Sequence, residues 1–194
     1  VAGDFNNDTN PDFAVSNTSG LIDVVSGNGN GTFASHAVVG AGVSQLTAFS
    51  IASGNITGTA AFPQLIVGSY GTNQIRIMNN AGGTFAQGAT INTGAKTRGV
   101  AVGSLDNDLD TGDDVVAARY DIAQVAVFHM NSDGTVKGSP VYISTGANPT
   151  EVLIADLDGD GKLDIVTANE TAKSLTVIRN TGGGTYAAPI TLVT

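Results

Sequence analysis

Gly31-Thr32-Phe33, Gly83-Thr84-Phe85 and Gly184-Thr185-Tyr186 are one phrase written three times, with Gly134-Thr135-Val136 as its variant. Their first glycines are spaced by 52, 51 and 50 residues. An apolar run precedes each phrase by about half a period: Phe13-Ala14-Val15, Leu65-Ile66-Val67, Val115-Val116-Ala117-Ala118 and Ile165-Val166-Thr167-Ala168. A sustained period of this length marks a stack of supersecondary units, each burying its faces against its neighbours. The chain therefore divides into four copies, 1–49, 50–98, 99–150 and 151–194.

Each copy reads as β throughout. Short apolar stretches are bounded by Gly, Asn, Asp, Ser and Thr, which supply turns and positive φ. Copy three predicts four strands, Val100–Gly103, Val115–Arg119, Gln124–Met130 and Pro140–Ser144. No amphipathic helical window exceeds a turn or two. The Gly-rich stretches at Gly27–Gly31 and Thr181–Gly184 read as hairpin turns, because a phosphate-cradling loop needs a following Lys-Ser or Lys-Thr and a helix. Four-stranded units at this period predict an all-β fold, a β-propeller of four antiparallel blades. Those blades could form a complete small ring, part of a larger ring or half of a dimeric ring. Copy one enters at Val1 with its first strand mostly missing, whereas copy four runs through a fourth strand at Ile190–Val193, as in a segment cut from a longer chain.

Composition narrows the function. The 194 residues carry 8 Lys+Arg against 17 Asp+Glu, a formal charge of −9, which argues against a nucleic-acid partner because phosphate binding needs a basic face. No apolar run approaches the roughly 20 residues of a membrane helix, so membrane insertion is not expected. With no cysteine there is no disulfide framework, thiolate zinc site or cysteine nucleophile. There is no Gly-x-Ser-x-Gly elbow, and the two histidines, His36 and His129, fall on predicted strands or their edges. The chain is expected not to be an enzyme. Paired carboxylates can serve a glycosidase, but here they recur in tandem, which fits metal loops better.

Of the 17 acids, 12 lie in three short segments between the first and second strands of copies one, three and four. Copy one has Asp4, Asn6, Asp8 and Asp12 at positions 1, 3, 5 and 9 of a nine-residue loop, with Asn10 at position 7. Copy four has Asp156, Asp158, Asp160 and Asp164 at the same positions, with Lys162 at position 7. Oxygen side chains at 1, 3, 5 and 9, with the position-7 carbonyl, form the donor set a hard cation takes. Ca2+ fits better than Mg2+, which prefers near-octahedral geometry and keeps its waters. An EF-hand is excluded, since it requires a Glu at position 12 and flanking helices, and position 12 in copy four is Thr167 inside a predicted strand. Copy three repeats the spacing as Asp106, Asp108, Asp110 and Asp114, with Gly112 at position 7 and Asp113 beside it. Aligned instead on the preceding strand, it places Ser104 at position 1 with a two-residue insertion; both registers are open from sequence. Copy two, Asn55-Ile56-Thr57-Gly58-Thr59 with Gln64 later, has no carboxylate and reads as a lost site. The expected complement is structural Ca2+ in loops one and four and a third ion in loop three.

The Asp-x-Asp/Asn-x-Asp-x-x-x-Asp loop, the apolar strand after it and the later Gly-Thr-Phe/Tyr resemble the FG-GAP/VCBS repeat family across essentially the whole chain. That resemblance implies the propeller fold of integrin α-subunits and of many bacterial secreted proteins, structural Ca2+ in the blade hairpins, an extracellular or cell-surface location, and adhesion or ligand binding. It does not imply one ligand. The expected function is a non-catalytic, Ca2+-stabilised adhesion or recognition module for a protein or glycan ligand at a cell surface. The alternatives are a carbohydrate-binding propeller, an accessory propeller of a larger secreted enzyme, or a structural part of a surface filament. Tyr70, Tyr120 and Arg119 follow the second strands and offer a recognition surface, while the lack of Trp weakens the lectin reading. Absent cysteines fit a bacterial surface protein held by metal and packing. Self-association to close a ring is a further expectation.

Overall fold

The computed structural model describes residues 1–17, 19–34, 36–39, 48–58, 60–106 and 112–193. These residues form four antiparallel four-stranded sheets in which neighbours in sequence are neighbours in space. Blade one contains β1 (Ala2–Gly3), β2 (Asp12–Ser16), β3 (Ile22–Val25) and β4 (Ala37–Val39). Blade two contains β5 (Ala48–Gly54), β6 (Gln64–Ser69), β7 (Gln74–Asn80) and β8 (Phe85–Asn92). Blade three contains β9 (Thr97–Gly103), β10 (Asp114–Arg119), β11 (Gln124–Phe128) and β12 (Val141–Ser144). In blade four, β13 (Pro149–Ala155), β14 (Asp164–Asn169) and β15 (Ser174–Ile178) are followed by a small hairpin, β16 (Asn180–Gly182) and β17 (Thr185–Tyr186), before β18 (Ile190–Val193) completes the sheet. A single 3-10 turn, Tyr120–Ile122, is the helical content among the described residues.

Blades two to four begin at 48, 97 and 149, two residues before the repeat boundaries read from sequence. Register repeats with the period: Leu65 pairs with Met78, Val115 with Phe128 and Ile165 with Ile178. Blade one's first strand is two residues long.

Alternation along each second and third strand sends neighbouring side chains to opposite faces, so every blade has a leading and a trailing face. The trailing face of blade one (Ala14, Ile22, Val24, Val39) meets Leu65, Val67 and Met78 of blade two. Ile66, Ile75, Ile77 and Ile91 of blade two meet Val115, Ala117, Ala126 and Phe128 of blade three. Val116, Val125, Val127 and Ile143 of blade three meet Val152, Ile165 and Ile178 of blade four. Most of the buried core therefore lies between blades. The innermost strands run close together, β5 along β9 and β9 along β13. Gly99 makes the second approach possible, because a Cβ there would lie 2.8 Å from the Thr150 carbonyl oxygen. No comparable packing joins β13 to β1 among the described residues, and the blades trace an arc.

Candidate functional site

Two kinds of loop define the two ends of the blades. The turns between first and second strands, and those between third and fourth, lie at one end. The turns between second and third strands lie at the other. All three acidic segments belong to the first end.

Loops one and four have the same backbone. Asn7 and Thr9 take positive φ in loop one, as Gly159 and Gly161 do at the same positions of loop four. Asp4 Oδ2 accepts from Thr9 N at 2.9 Å, and Asp156 Oδ2 from Gly161 N at 3.0 Å. Position 3 accepts from position 5: Asp8 N donates to Asn6 Oδ1 at 3.0 Å and Asp160 N to Asp158 Oδ1 at 3.2 Å. Position 5 accepts from position 7: Asn10 N donates to Asp8 Oδ1 at 2.8 Å and Lys162 N to Asp160 Oδ1 at 2.9 Å. Each short acidic side chain thus folds its own loop by local turn bonds. The bond from Asn10 N pulls the Asp8 carboxyl below the usual carboxylate range.

Position 9 does something different. Asp12, Asp114 and Asp164 are each about 1% exposed, and each accepts two backbone bonds. Asp12 takes Phe5 N and Gly27 N, both at 2.9 Å. Asp114 takes Leu105 N at 2.8 Å and Met130 N at 3.0 Å. Asp164 takes Leu157 N at 3.2 Å and Asn180 N at 2.8 Å. One carboxylate therefore ties the acidic loop to the end of the third strand. Blade two keeps the device without charge: Gln64 Oε1 accepts from Ile56 N at 2.9 Å while its Nε2 donates to Asn79 Oδ1 at 3.2 Å.

The same pairing fixes the register of loop three. Gly3, Gly54, Gly103 and Ala155 sit opposite Asp12, Gln64, Asp114 and Asp164. Position 1 is therefore Asp4, Asn55, Ser104 and Asp156. Asp106 falls at position 3, and the loop carries two extra residues. Asp108 and Asp110 lie outside the described residues. Gly112 passes so close to blade two that a Cβ would sit 2.4 Å from the Ile56 carbonyl oxygen.

Among the described residues, two groups of side chains converge enough to share one ion. Asp156, Asp158 and Asp164 offer oxygens within 4.8 Å of one another. That is an all-oxygen donor set suited to a hard cation such as Ca2+. Asp160 stands apart from this trio and pairs with Lys162 Nζ at 2.6 Å, which holds its carboxyl low and raises the lysine. Arg179 pairs with Asp158. Asp106, Asp114 and His129 form the second group. His129 Nδ1 stands 3.2 Å from Asp114 Oδ2 and 3.6 Å from Asp106 Oδ2, and its bond to Asp114 raises its pKa. Lys137 Nζ lies 3.8 Å from Asp106. In loop one Asp4, Asp8 and Asp12 do not form such a group among the described residues.

Two features escaped sequence reasoning. Asn180 Nδ2 reaches into blade three, donating to Leu105 O at 2.7 Å and to Leu163 O of its own blade at 3.2 Å. Asn80 makes the same bridge into blade one, to Phe5 O at 2.8 Å and Pro63 O at 3.0 Å. Their separation of two full periods was the available signal, and Met130 interrupts it in blade three. The second feature is Asn55, in the loop that lacks carboxylates: its N donates to Asp113 Oδ2 at 2.7 Å and its O accepts from Asp113 N at 2.9 Å. Burial raises the Asp113 pKa. Loop two is thus a clamp on loop three. Asn180→Leu is expected to cost about 2–3 kcal/mol by leaving the Leu105 carbonyl buried and unpaired. Denaturant unfolding measures this, and a loss below about 0.5 kcal/mol would refute the bridge.

The opposite end holds a cluster of tyrosines and cations. Tyr70 and Tyr120 meet edge to face with centroids 5.8 Å apart. Lys96 Nζ lies 4.8 Å above the Tyr70 ring and the Arg98 guanidinium 4.8 Å above Tyr120. Arg119 lies 4.3 Å above Tyr142, which is half exposed. Glu170 ties the group to blade four, accepting from Arg98 Nη1 at 2.9 Å and from the Tyr120 hydroxyl at 3.3 Å. Tyr70 and Tyr120, singled out in the sequence, meet on one surface to which three blades contribute, whereas Arg119 is buried and donates to Thr93 O and Gln124 Oε1.

Comparisons with known proteins agree with this architecture. The model for the FG-GAP-like repeat matches residues 108–167, and that for the FG-GAP repeat matches residues 148–188. No curated protein matches the chain. Among solved structures, BBS1N in complex with ARL6DN, soaked with lead, is similar at a TM-score of 0.62 and 16% identity over 97% of this chain. The same complex soaked with mercury gives a TM-score of 0.66 and 14% identity over 100% of this chain. The chain spans 56% of the length of each of those BBS1N chains. At such identities the likeness speaks for the fold alone, a β-propeller. The sequence motifs and the strand register agree with the two family matches: residues 108–188 match the models of FG-GAP repeats.

Proposed function

We propose that this chain is a non-catalytic, Ca2+-stabilised recognition propeller of the cell surface or extracellular space, and that it binds a protein partner through the blade end opposite its acidic loops. The observation that carries the reading is the Tyr70–Tyr120 pair with Lys96 and Arg98 stacked on its rings. Amphipathic aromatics held rigid by cations offer large contact area at low entropic cost, the composition of protein-binding hot spots. A propeller of similar fold, BBS1N, was solved with a protein bound, ARL6DN, which favours a protein partner over a small molecule. The acidic end serves stability: its carboxylates fold their own loops, and the converging trio of loop four is suited to Ca2+.

Photo-crosslinking tests the docking end. A benzophenone side chain at Ile122, exposed beside Tyr120, is expected to capture a protein from the extracellular fraction of the source. The same group at exposed Thr185, on the acidic end, is expected to capture none, and Tyr120→Ser should abolish the Ile122 adduct. Capture at Thr185 alone would overturn the docking end. A saccharide bound on a glycan array and lost in Tyr120→Ser would replace the protein partner with a carbohydrate.

A further inference from the structure

Loop three shares the acidity of loop four but not its donors. In loop four the converging carboxylates stand at positions 1, 3 and 9, as Asp156, Asp158 and Asp164. Loop three keeps Asp106 at position 3 and Asp114 at position 9, but its position 1 is Ser104, which brings no carboxylate. The third member of its group is His129, the residue just after β11. The place of His129 recurs in blade four. Met130 N and Asn180 N make the same bond to the position-9 carboxylate, and the residues before them are His129 and Arg179. Each of these faces the position-3 carboxylate of its own loop. Arg179 is half exposed and serves only as a counter-ion, because a guanidinium has no lone pair to offer a metal. A neutral imidazole has one.

Three observations set His129 apart from a counter-ion. Its side chain is 11% exposed, and its ring nitrogens are enclosed without an aligned hydrogen bond among the described residues. Nδ1 is turned to both carboxylates, 3.2 Å from Asp114 and 3.6 Å from Asp106. The blade-four hairpin covers the ring, since a Cβ at Gly184 would lie 2.9 Å from Nε2. On the same hairpin the Tyr186 hydroxyl, close enough to Asp114 and Asp106 to feel their charge, is enclosed with no hydrogen-bond partner. A cleft of about 340 Å3 between Asp106, His129, Lys137, Gly183 and Gly184 gives an ion a way in. Lys137 Nζ, 3.8 Å from Asp106, belongs to a side chain 42% exposed that can withdraw into solvent as a dication arrives.

An imidazole nitrogen beside two carboxylate oxygens suits zinc and its first-row neighbours, whereas calcium takes oxygen ligands. We infer that Asp106, Asp114 and His129 form a site for a borderline dication of the zinc class at the seam of blades three and four, distinct in chemistry from the all-oxygen group of loop four. Three protein ligands leave the fourth position of a tetrahedral zinc site to water.

Calorimetric titration of zinc chloride into the 194-residue chain is expected to show one zinc bound per chain, with an affinity that millimolar calcium does not lower. His129→Arg installs the residue that blade four carries at this place, so charge pairing survives while the nitrogen ligand is lost. Zinc affinity should then fall by at least about 100-fold with an unchanged circular dichroism spectrum. His36→Gln, at the exposed histidine, should change neither. Should His129→Arg fail to fold, ring-nitrogen NMR of the parent chain answers alone: of its two histidines, zinc should shift the one whose signals persist in His36→Gln. No zinc binding, binding that survives His129→Arg, a shift confined to His36, or zinc displaced by an equal concentration of calcium would each overturn the site.

Discussion

Replacing Asp164 by alanine is expected to lower the unfolding free energy by about 3–5 kcal/mol in excess chelator, where no divalent ion contributes. The carboxylate is 1% exposed and is the acceptor for both Leu157 N and Asn180 N. Alanine removes both bonds and leaves two backbone donors without their acceptor. Each such orphan costs about 1–3 kcal/mol. The second donor sits on Asn180, whose side chain bridges to blade three, so the damage reaches the interface between blades. In a chain of this length the loss corresponds to a fall in Tm of about 10 °C. Asp158→Ala is the comparison, because Asp158 is an exposed loop residue that, among the described residues, accepts from Asp160 N and pairs with the Arg179 guanidinium. In chelator it should cost less than about 1 kcal/mol. Equal losses in the two variants would show that position 9 is not a staple.

The contrast between these two aspartates marks what could be read in the sequence. Repetition made the fold legible: apolar runs recurring at the period of the Gly-Thr-aromatic phrase gave the blades, and the strand register repeats with them. The acidic spacing gave loops one and four a common conformation, which their shared hydrogen bonds bear out. Long-range partners were not legible. Gln64 reads as a lost ligand in a one-dimensional motif, yet it preserves the position-9 staple because an amide oxygen accepts a backbone N–H as a carboxylate does. Asn55 reads as degenerate, yet it clamps Asp113 across 58 residues of sequence. The two registers of loop three stayed open because an insertion leaves local spacing intact while shifting the alignment; pairing of Gly103 with Asp114 settles it.

The tyrosine surface shows the same limit from the other side. Tyr70 and Tyr120 are fifty residues apart, so the period alone places them at equivalent sites on adjacent blades. Their edge-to-face contact depends on the close approach of inner strands, and the cations above them, Lys96 and Arg98, lie just before and at the start of β9. The placement of the acidic loops and the tyrosines follows from blade topology. Antiparallel strands send every first turn of a blade to one end and every second turn to the other, so acidic first turns in blades one, three and four and tyrosines after the second strands of blades two and three fall at opposite ends.

Millimolar calcium is expected to raise the Tm by about 5–10 °C over excess chelator, since one site held at a hundred times its Kd contributes about 2.7 kcal/mol. Asp156, Asp158 and Asp164 converge within 4.8 Å at the acidic end of a chain with a formal charge of −9. Lys162 and Arg179 offset part of that repulsion without supplying ligands, so an added dication still gains from the carboxylates they leave. Asp156→Ala removes the position-1 carboxylate, which accepts from Gly159 N and Gly161 N, and should cancel most of the shift. Asn55→Ala should lower the Tm equally with and without calcium, because Asn55 holds Asp113 through its backbone and Ala60 N through its side chain rather than holding an ion. Magnesium at the same concentration controls for general screening. Calcium binds with looser geometry and sheds its waters more readily, so it should give the larger shift. Equal shifts from the two ions, or a calcium shift that survives Asp156→Ala undiminished, would mean that the loops are folded by their own hydrogen bonds and need no metal.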